Sequence, residues 1–220
     1  MDAYLGLSGK WRGLRPMLAV GAGPPTPELL REEVQLRDGL SVIAGILDPA
    51  DGRRIDPKAV VLAARELSAW VVADLGELAG AGPGAAAAAR CDLVLLAAHP
   101  TIPSTRGARR ALAEVTEAGG GENVRLLINM APRGRWGDAW EVGEALGAPL
   151  MGRIPLLRAG PITRPAGGAG GRAFGRLAEA VRSEGRRGGL EREGIRPKGP
   201  IGPDRPVGEE PSWTASKPSR

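Results

Sequence analysis

Polar residues that could do chemistry stand at the ends of apolar runs in this sequence. Asp74, followed by Leu75 and Gly76, closes the run WVVADLG. A carboxylate at that place can hold a magnesium-bound water, and a glycine amide can approach a phosphate because no Cβ is in the way. The pattern favours a nucleotide site with Asp74 as the candidate metal ligand, although an aspartate that caps the following helix has the same pattern.

Two further polar residues follow other apolar runs. Asn129 ends the run VRLLIN, and its amide donor and carbonyl acceptor match the edge of an adenine base. A turn-forming asparagine before Pro132 is the alternative. His99, the single histidine, could act as a base, but no carboxylate lies near it in the sequence, so we interpret it as a loop residue.

Glycine-rich stretches at three places do not meet the requirements of a phosphate loop. The stretch GLSGK at 6–10 lacks the longer Gly-x-x-x-x-Gly-Lys-Ser/Thr pattern, has Trp11 where a hydroxyl must reach the metal, and follows no strand. The stretches at 80–84 and 167–171 follow no buried strand that would aim their amides at a phosphate.

The elements that must position these residues form a repeating pattern of strands and helices. Continuously apolar runs predict five buried parallel strands, whose starts lie 29, 22, 32 and 26 residues apart, enough for a crossover helix each time. The strands are predicted at residues 41–46, 70–75, 92–97, 124–129 and 150–154.

Helix signals occupy the intervals between these runs. Thr26 before Pro27 and Asp56 before Pro57 each combine an N-cap with a proline at the first helical position, and Gly147 is predicted to end a helix. Helices are also predicted at 103–118, 138–146 and 173–182. The fold class is therefore α/β, a three-layer parallel β-sheet with helices on both faces.

Composition narrows the protein class further. The chain has 220 residues with a net charge of +5, and its single cysteine excludes an internal disulfide framework, so we expect a reduced, cytoplasmic setting. One histidine without neighbouring carboxylates argues against a three-ligand metal site, and 3% aromatic residues argue against base-stacking nucleic-acid modules. Residues 1–183 are predicted to form the α/β domain, and 184–220 a disordered, basic tail rich in glycine and proline.

The order of these pieces resembles the ParA/MinD family of deviant P-loop ATPases, particularly the septum-site-determining and CpaE/TadZ-like localisation proteins. The resemblance covers about residues 2–182. The phrases that carry it are DAYLGLSG, DGLSVIAGILDPADGRRIDP, WVVADLGE, CDLVLLAAHPTIPSTRGARRAL, ENVRLLINM and EALGAPLMGRIP.

This resemblance implies roles for individual residues. Asp74 would lie near magnesium, Gly76 near the terminal phosphate, Asn129 at the adenine, and Pro155 in the segment that borders the base. ATP and Mg²⁺ are the implied cofactors. The sequence departs from the family pattern because the lysine-containing phosphate loop and the first-switch aspartate are absent from these 220 residues. We expect an N-terminally truncated domain without autonomous ATP hydrolysis.

The resemblance implies ATP-dependent positioning in cell division, chromosome partitioning or pilus localisation, with a protein partner or a homodimer. A non-catalytic scaffold that binds partners is one alternative. Nonspecific DNA binding is another, and surface contact with a membrane through helix 173–182 is a weaker one. The arginines that motivate DNA binding are Arg106, Arg109, Arg110, Arg172, Arg176, Arg182, Arg186 and Arg187.

Overall fold

The computed structural model describes residues 13–14, 18, 23–37, 39–45, 54–78, 82–131, 136–156 and 168–187. The glycine-rich stretch at 6–10 and the tail from residue 188 onward lie outside the described residues, so the predictions made for them are not addressed by the structure. The elements, in chain order, are α1 (Pro27–Glu32), β1 (Gln35–Arg37), β2 (Leu40–Val42), α2 (Pro57–Leu67), α3 (Pro83–Ala88), β3 (Val94–Ala98), α4 (Ile102–Glu117), a 3₁₀ turn (Gly121–Asn123), β4 (Val124–Ala131), α5 (Trp136–Leu146), β5 (Leu150–Pro155) and α6 (Gly168–Arg187).

Three of the predicted strands form a parallel sheet in the order β3-β4-β5. β3 pairs with β4 from Val94 opposite Val124 to Ala98 opposite Ile128. β4 pairs with β5 from Leu126 opposite Leu150, with irregularities in the register before Ala131 meets Pro155. The predicted strands at 92–97, 124–129 and 150–154 are therefore confirmed, with small shifts of their ends.

Helices cover both faces of this sheet, as the predicted three-layer architecture requires. Leu126 and Ile128 of β4 are fully buried in a cluster that includes Ala108 of α4 and Ala139 of α5. Successive residues of a strand point to opposite faces. Gly152 of β5, on the other face, lies between Leu127 and Leu177 of α6.

The predicted parallel strand at 41–46 is wrong. Its first residues belong to β2, which pairs antiparallel with β1 in a separate two-stranded sheet. Arg37 lies opposite Leu40, so only two residues connect the strands, and Gly39 has a φ of +79°. The Asp-Gly dipeptide at 38–39 is a strong hairpin signal, and this local turn chemistry prevails over the apolar run that follows it.

The predicted strand at 70–75 is also wrong, because the segment has no regular secondary structure. A strand needs a neighbour to accept and donate its backbone hydrogen bonds. None of the strands in the described part of the chain pairs with this segment. Trp70 and Val72 are accordingly open to solvent, at 58% and 96% exposed, whereas Leu75 is half-buried and packs on a cluster that includes Ala88 and Val115.

The helix boundaries follow the capping signals. The Thr26 side chain accepts a hydrogen bond from the Leu29 amide at 3.3 Å, and Asp56 accepts one from the Lys58 amide at 3.0 Å. Gly147, with a φ of +65°, follows the end of α5 as predicted. The short alanine-rich helix α3 was not predicted, since its six residues carry no apolar period.

Helix α6 is longer than the predicted helix 173–182 and reaches Arg187. It thus enters the first four residues of the predicted tail, while the division into domain and tail stays a prediction. Among the helices of the described ranges, none has the length and apolar character needed to cross a membrane.

A second, smaller core lies at the amino-terminal side. Leu30 of α1 is fully buried and packs with Ile55 and with Ala63 of α2. The partly buried side chains around them are Leu14, Leu18, Ile43, which follows β2, and Val60, Ala64 and Leu67 of α2. This cluster holds α1 against α2, and it does so outside the sheet of β3, β4 and β5.

We expect the Leu126→Ala substitution to lower the free energy of unfolding by about 2–5 kcal/mol, because it leaves a cavity at the centre of the sheet. Leu126 is fully buried, whereas Leu36 is 49% exposed and offers a matched control. Leu36→Ala should change stability by less than about 0.5 kcal/mol. Urea denaturation measures both values, and equal losses would contradict the central position of β4.

Candidate functional site

Asp74 and Gly76 are joined by a local hydrogen bond. The Gly76 amide donates to Asp74 Oδ1 at 3.0 Å, and Gly76 has a φ of +68°, a conformation that glycine adopts without steric strain. The amide that the sequence suggested for a phosphate is therefore bonded to the side chain two residues before it. Both residues are exposed, and the carboxylate retains a second oxygen that could face a ligand.

Asn129 and Pro155 lie on neighbouring strands at the carboxyl edge of the sheet. Asn129 stands two residues before Ala131, and Ala131 is the register partner of Pro155. Asn129 is partly buried in β4, and Pro155 is the last residue of β5. The structure thus brings together the two residues that the resemblance assigns to the base.

The segment 70–78 and β3 both line a cavity of about 1400 Å³. Asp74 and Gly76 line this cavity, and so do Leu93–Ala97 on the opposite wall; Asn129 and Pro155 do not. The four candidate residues therefore fall into two pairs on the two sides of β3. The cavity contains the first pair and not the second.

His99 lies in the loop between β3 and α4 and is exposed. Its backbone amide donates to the hydroxyl of Ser104 at 2.8 Å, which ties the end of β3 to the first turn of α4. His99 does not line the cavity. This position agrees with its interpretation as a loop residue.

The amino end of β3 carries a group of side chains that sequence reasoning missed. Arg65 of α2 contacts Asp92 with an N–O distance of 2.8 Å and also donates to the Arg90 carbonyl at 2.6 Å. Arg65, Cys91 and Asp92 all line the cavity. No spacing in the sequence signals this contact, because Arg65 and Asp92 belong to elements 27 residues apart.

Comparison with known proteins supports one fold. No family model matches the chain, and no curated protein matches it in sequence. Among solved structures, the chain is similar to the cell division ATPase MinD of Pyrococcus furiosus, with 18% identity, a TM-score of 0.55, and coverage of 82% of this chain and 79% of that one. It is also similar to the MinD cell division protein of Aquifex aeolicus, with 17% identity, a TM-score of 0.56, and coverage of 83% and 79%.

The chain has a MinD-like fold. The resemblance seen in the sequence is confirmed at the level of the fold, and the α/β class with it. At 17–18% identity the likeness says nothing of individual residues, so the roles of Asp74, Gly76, Asn129 and Pro155 stay predictions.

The residues of this MinD-like fold suit a magnesium nucleotide only in part. Magnesium is commonly held by one or two carboxylates together with phosphates and water, so Asp74 alone is chemically adequate for that part. The described residues contain no cluster of three His, Cys, Asp or Glu side chains. The phosphate side does not fit, because the Gly76 amide is engaged by Asp74 and the sequence has no Gly-x-x-x-x-Gly-Lys-Ser/Thr loop.

Cys91 lines the cavity, and its surroundings set the pKa and the reactivity of its thiol. Burial raises the pKa of the Cys91 thiol above its ordinary value; nearby Arg65 lowers it, and Asp92 raises it further. The thiol also lies 3.6 Å from the Ala87 carbonyl oxygen. Since burial outweighs the arginine, the thiol stays protonated at neutral pH and is a poor nucleophile.

We expect iodoacetamide to alkylate Cys91 more slowly in the folded protein than in urea at the same pH. Arg65→Gln should slow the folded-state reaction further, because it removes the charge that favours the thiolate. The chain has one cysteine, so mass spectrometry reads the reaction without ambiguity. Equal rates in the folded and unfolded states would contradict the raised pKa.

The raised pKa of Cys91 also makes the free energy of unfolding depend on pH. A raised folded-state pKa favours the folded protein below the ordinary thiol pKa of about 8.5, and this contribution is lost as the pH rises through the folded-state value. The free energy of unfolding, measured against Cys91→Ala, should therefore fall at alkaline pH. A difference that grows with pH would contradict the assignment.

Proposed function

We propose that this protein is a MinD/ParA-like member of the ATP-dependent positioning class and that it does not hydrolyse ATP on its own. The observation that carries the proposal is the MinD-like fold. In this fold Asp74 and Gly76 lie in the segment 70–78, which precedes α3, and Asn129 lies in β4. The two solved structures reported above are named as cell division proteins. Cell division is accordingly the first setting that we propose, before chromosome partitioning and pilus localisation.

The absence of hydrolysis follows from the chemistry of phosphoryl transfer. Catalysis there consists largely of positioning the phosphates and stabilising their charge, which needs lysines and a cradle of backbone amides. This sequence has no such loop, and the Gly76 amide already donates to Asp74 Oδ1 at 3.0 Å. Asp74 and Asn129 supply one metal ligand and one base contact, and neither group replaces the missing cradle.

Partners and location belong to the same proposal. A positioning protein needs a surface for another protein or for a second copy of itself, and the exposed Trp70 and Val72 beside the cavity offer an apolar one. We place the protein in the cytoplasm, because its single cysteine offers no internal disulfide.

Because the phosphate side of the site lacks its loop, we expect the purified chain to bind ATP weakly, only with magnesium, and to release no phosphate above the buffer background. Asp74→Ala should weaken magnesium-dependent binding about tenfold, because it removes a charged ligand of the ion. Glu77→Ala is the matched control, since Glu77 is an exposed carboxylate lining the same cavity. Calorimetric titration and a phosphate-release assay measure the two quantities.

The outcomes separate this proposal from a non-catalytic scaffold. No ATP binding at millimolar nucleotide would favour the scaffold and contradict our assignment. Equal losses in Asp74→Ala and Glu77→Ala would show that only general charge matters. Phosphate release abolished by Asp74→Ala would show that the chain turns over nucleotide without the loop.

Nonspecific DNA binding is a second candidate function. Arg172, Arg176 and Arg182 are exposed on α6, which favours it, whereas Arg109 donates to the Ala145 carbonyl at 3.1 Å and so has a structural role. Binding to phosphates releases counterions and falls steeply with salt. A fluorescence anisotropy titration that shows no binding at low salt, or a flat response to salt, would remove this candidate.

A further inference from the structure

The segment 70–78 is held in place by side chains and not by strand pairing. No strand in the described part of the chain pairs with it, and it has no regular secondary structure. It nevertheless carries the hydrogen bond between Asp74 and Gly76, and we call residues 74–76 the Asp74 turn. A segment without a ladder keeps its position through the packing of its side chains, so these contacts decide where the Asp74 carboxylate lies.

One of these contacts lies just after the Asp74 turn. Leu78 is half-buried and lies against Gly84 of α3, where a Cβ would be 2.8 Å from Leu78 Cδ2. Nonbonded carbon atoms rest at roughly 3.5–4.0 Å, so Leu78 keeps this place only because residue 84 has no side chain. α3 is itself fixed, since its Ala88 packs with Val115 of α4 and Val124 of β4.

A second contact lies before the Asp74 turn. Trp70 lies against Gly185 of α6, where a Cβ would be 2.9 Å from Cη2 at the tip of the indole. Gly185 is buried although it belongs to the last turn of its helix. The preceding residue, Glu184, contacts Arg125 of β4 with an N–O distance of 3.2 Å, which ties this end of α6 to the sheet.

Gly84 and Gly185 stand in helices, where glycine is less favourable than alanine because it loses more conformational freedom. Two other helical glycines, Gly107 of α4 and Gly175 of α6, have no atom within 4 Å of the place of a Cβ. A close approach by another side chain therefore accounts for Gly84 and Gly185 and not for the other two. We call Gly84 and Gly185 the anchoring glycines.

We propose that Leu78 and Trp70, packed on the anchoring glycines, are positioning residues for Asp74. They fix the segment 70–78 at its two ends, so that the Asp74 carboxylate and the Gly76 amide keep their mutual geometry. Both residues act through Asp74 and not on a ligand. The inference rests on the proposed function where it concerns magnesium, whereas the positioning itself can be measured without nucleotide.

The test uses the full chain with one methyl group added at each anchoring glycine, in Gly84→Ala and Gly185→Ala. The atoms that meet the new methyl are the ends of the Leu78 and Trp70 side chains. These side chains should move while the helices stay in place. Gly107→Ala and Gly175→Ala are the matched controls, since they add the same methyl where nothing lies within 4 Å.

We expect the amides of residues 74–78 to exchange about three- to tenfold faster in both anchoring-glycine variants than in the wild type, because the turn opens more often. Hydrogen exchange followed by mass spectrometry measures these rates. Urea denaturation should show no loss of global stability, because alanine favours a helix over glycine. The two control variants should leave the exchange of 74–78 unchanged.

The same variants change magnesium-dependent binding if Asp74 is the ligand that the anchors position. The dissociation constant of ATP, measured by calorimetric titration with magnesium, should rise about threefold in the anchoring-glycine variants, because a displaced carboxylate holds the ion less well. Gly107→Ala and Gly175→Ala should bind as the wild type does.

Second-site variants test the geometry of the two contacts. Leu78→Val removes the Cδ atoms that the methyl of Gly84→Ala meets, and Trp70→Phe removes the outer ring that the methyl of Gly185→Ala meets. Each double variant should therefore exchange more slowly at 74–78 than its glycine variant alone. Such non-additivity is expected of residues in contact and not of two independent changes.

Several results would overturn the inference. Unchanged exchange of 74–78 in either anchoring-glycine variant would do so, and so would equal acceleration in the controls or double variants without rescue. Faster exchange with an unaltered dissociation constant would show that the anchors do not position a metal ligand. If the wild type binds no ATP, the proposed function fails, and the exchange rates and the rescue still decide whether Leu78 and Trp70 position Asp74.

Discussion

The pairing of β4 with a parallel strand on each side is the interaction on which the rest of the structure depends. Its side chains alternate between two layers, so that Leu126 and Ile128 pack on α4 and α5 while Leu127 faces α6. Each helix is held by the apolar face that it covers. Because β4 is paired on both sides, its backbone hydrogen bonds are satisfied and the core can exclude water.

The same requirement explains the open part of the molecule. β3 has one paired edge, and the apolar segment 70–75 has no strand beside it, so both line a cavity where a sheet could continue. Hydrophobic character alone did not make 70–75 a strand, since a strand exists only where a neighbour completes its hydrogen bonds. The exposure of Val72 and the cavity lined by 70–78 and β3 have this one cause.

The candidate site shows how local chemistry limits function. The Gly76 amide bonds to Asp74 within a single turn, whereas Asn129 and Pro155 depend on the register of β4 and β5. The two pairs lie on opposite sides of β3, and neither brings a cradle of amides for phosphates. We therefore propose no turnover of ATP by this chain.

The sequence by itself determined the three paired strands, the caps at Thr26 and Asp56, the end of α5 at Gly147 and the α/β class, because apolar runs and capping side chains act over a few residues. For 41–46, the Asp-Gly dipeptide at 38–39 already signalled a hairpin in the sequence. Only the tertiary structure decided the state of 70–75, because no strand of the described residues pairs with it. It also decided which candidate residues meet, since strand order and register are long-range properties that no local pattern records.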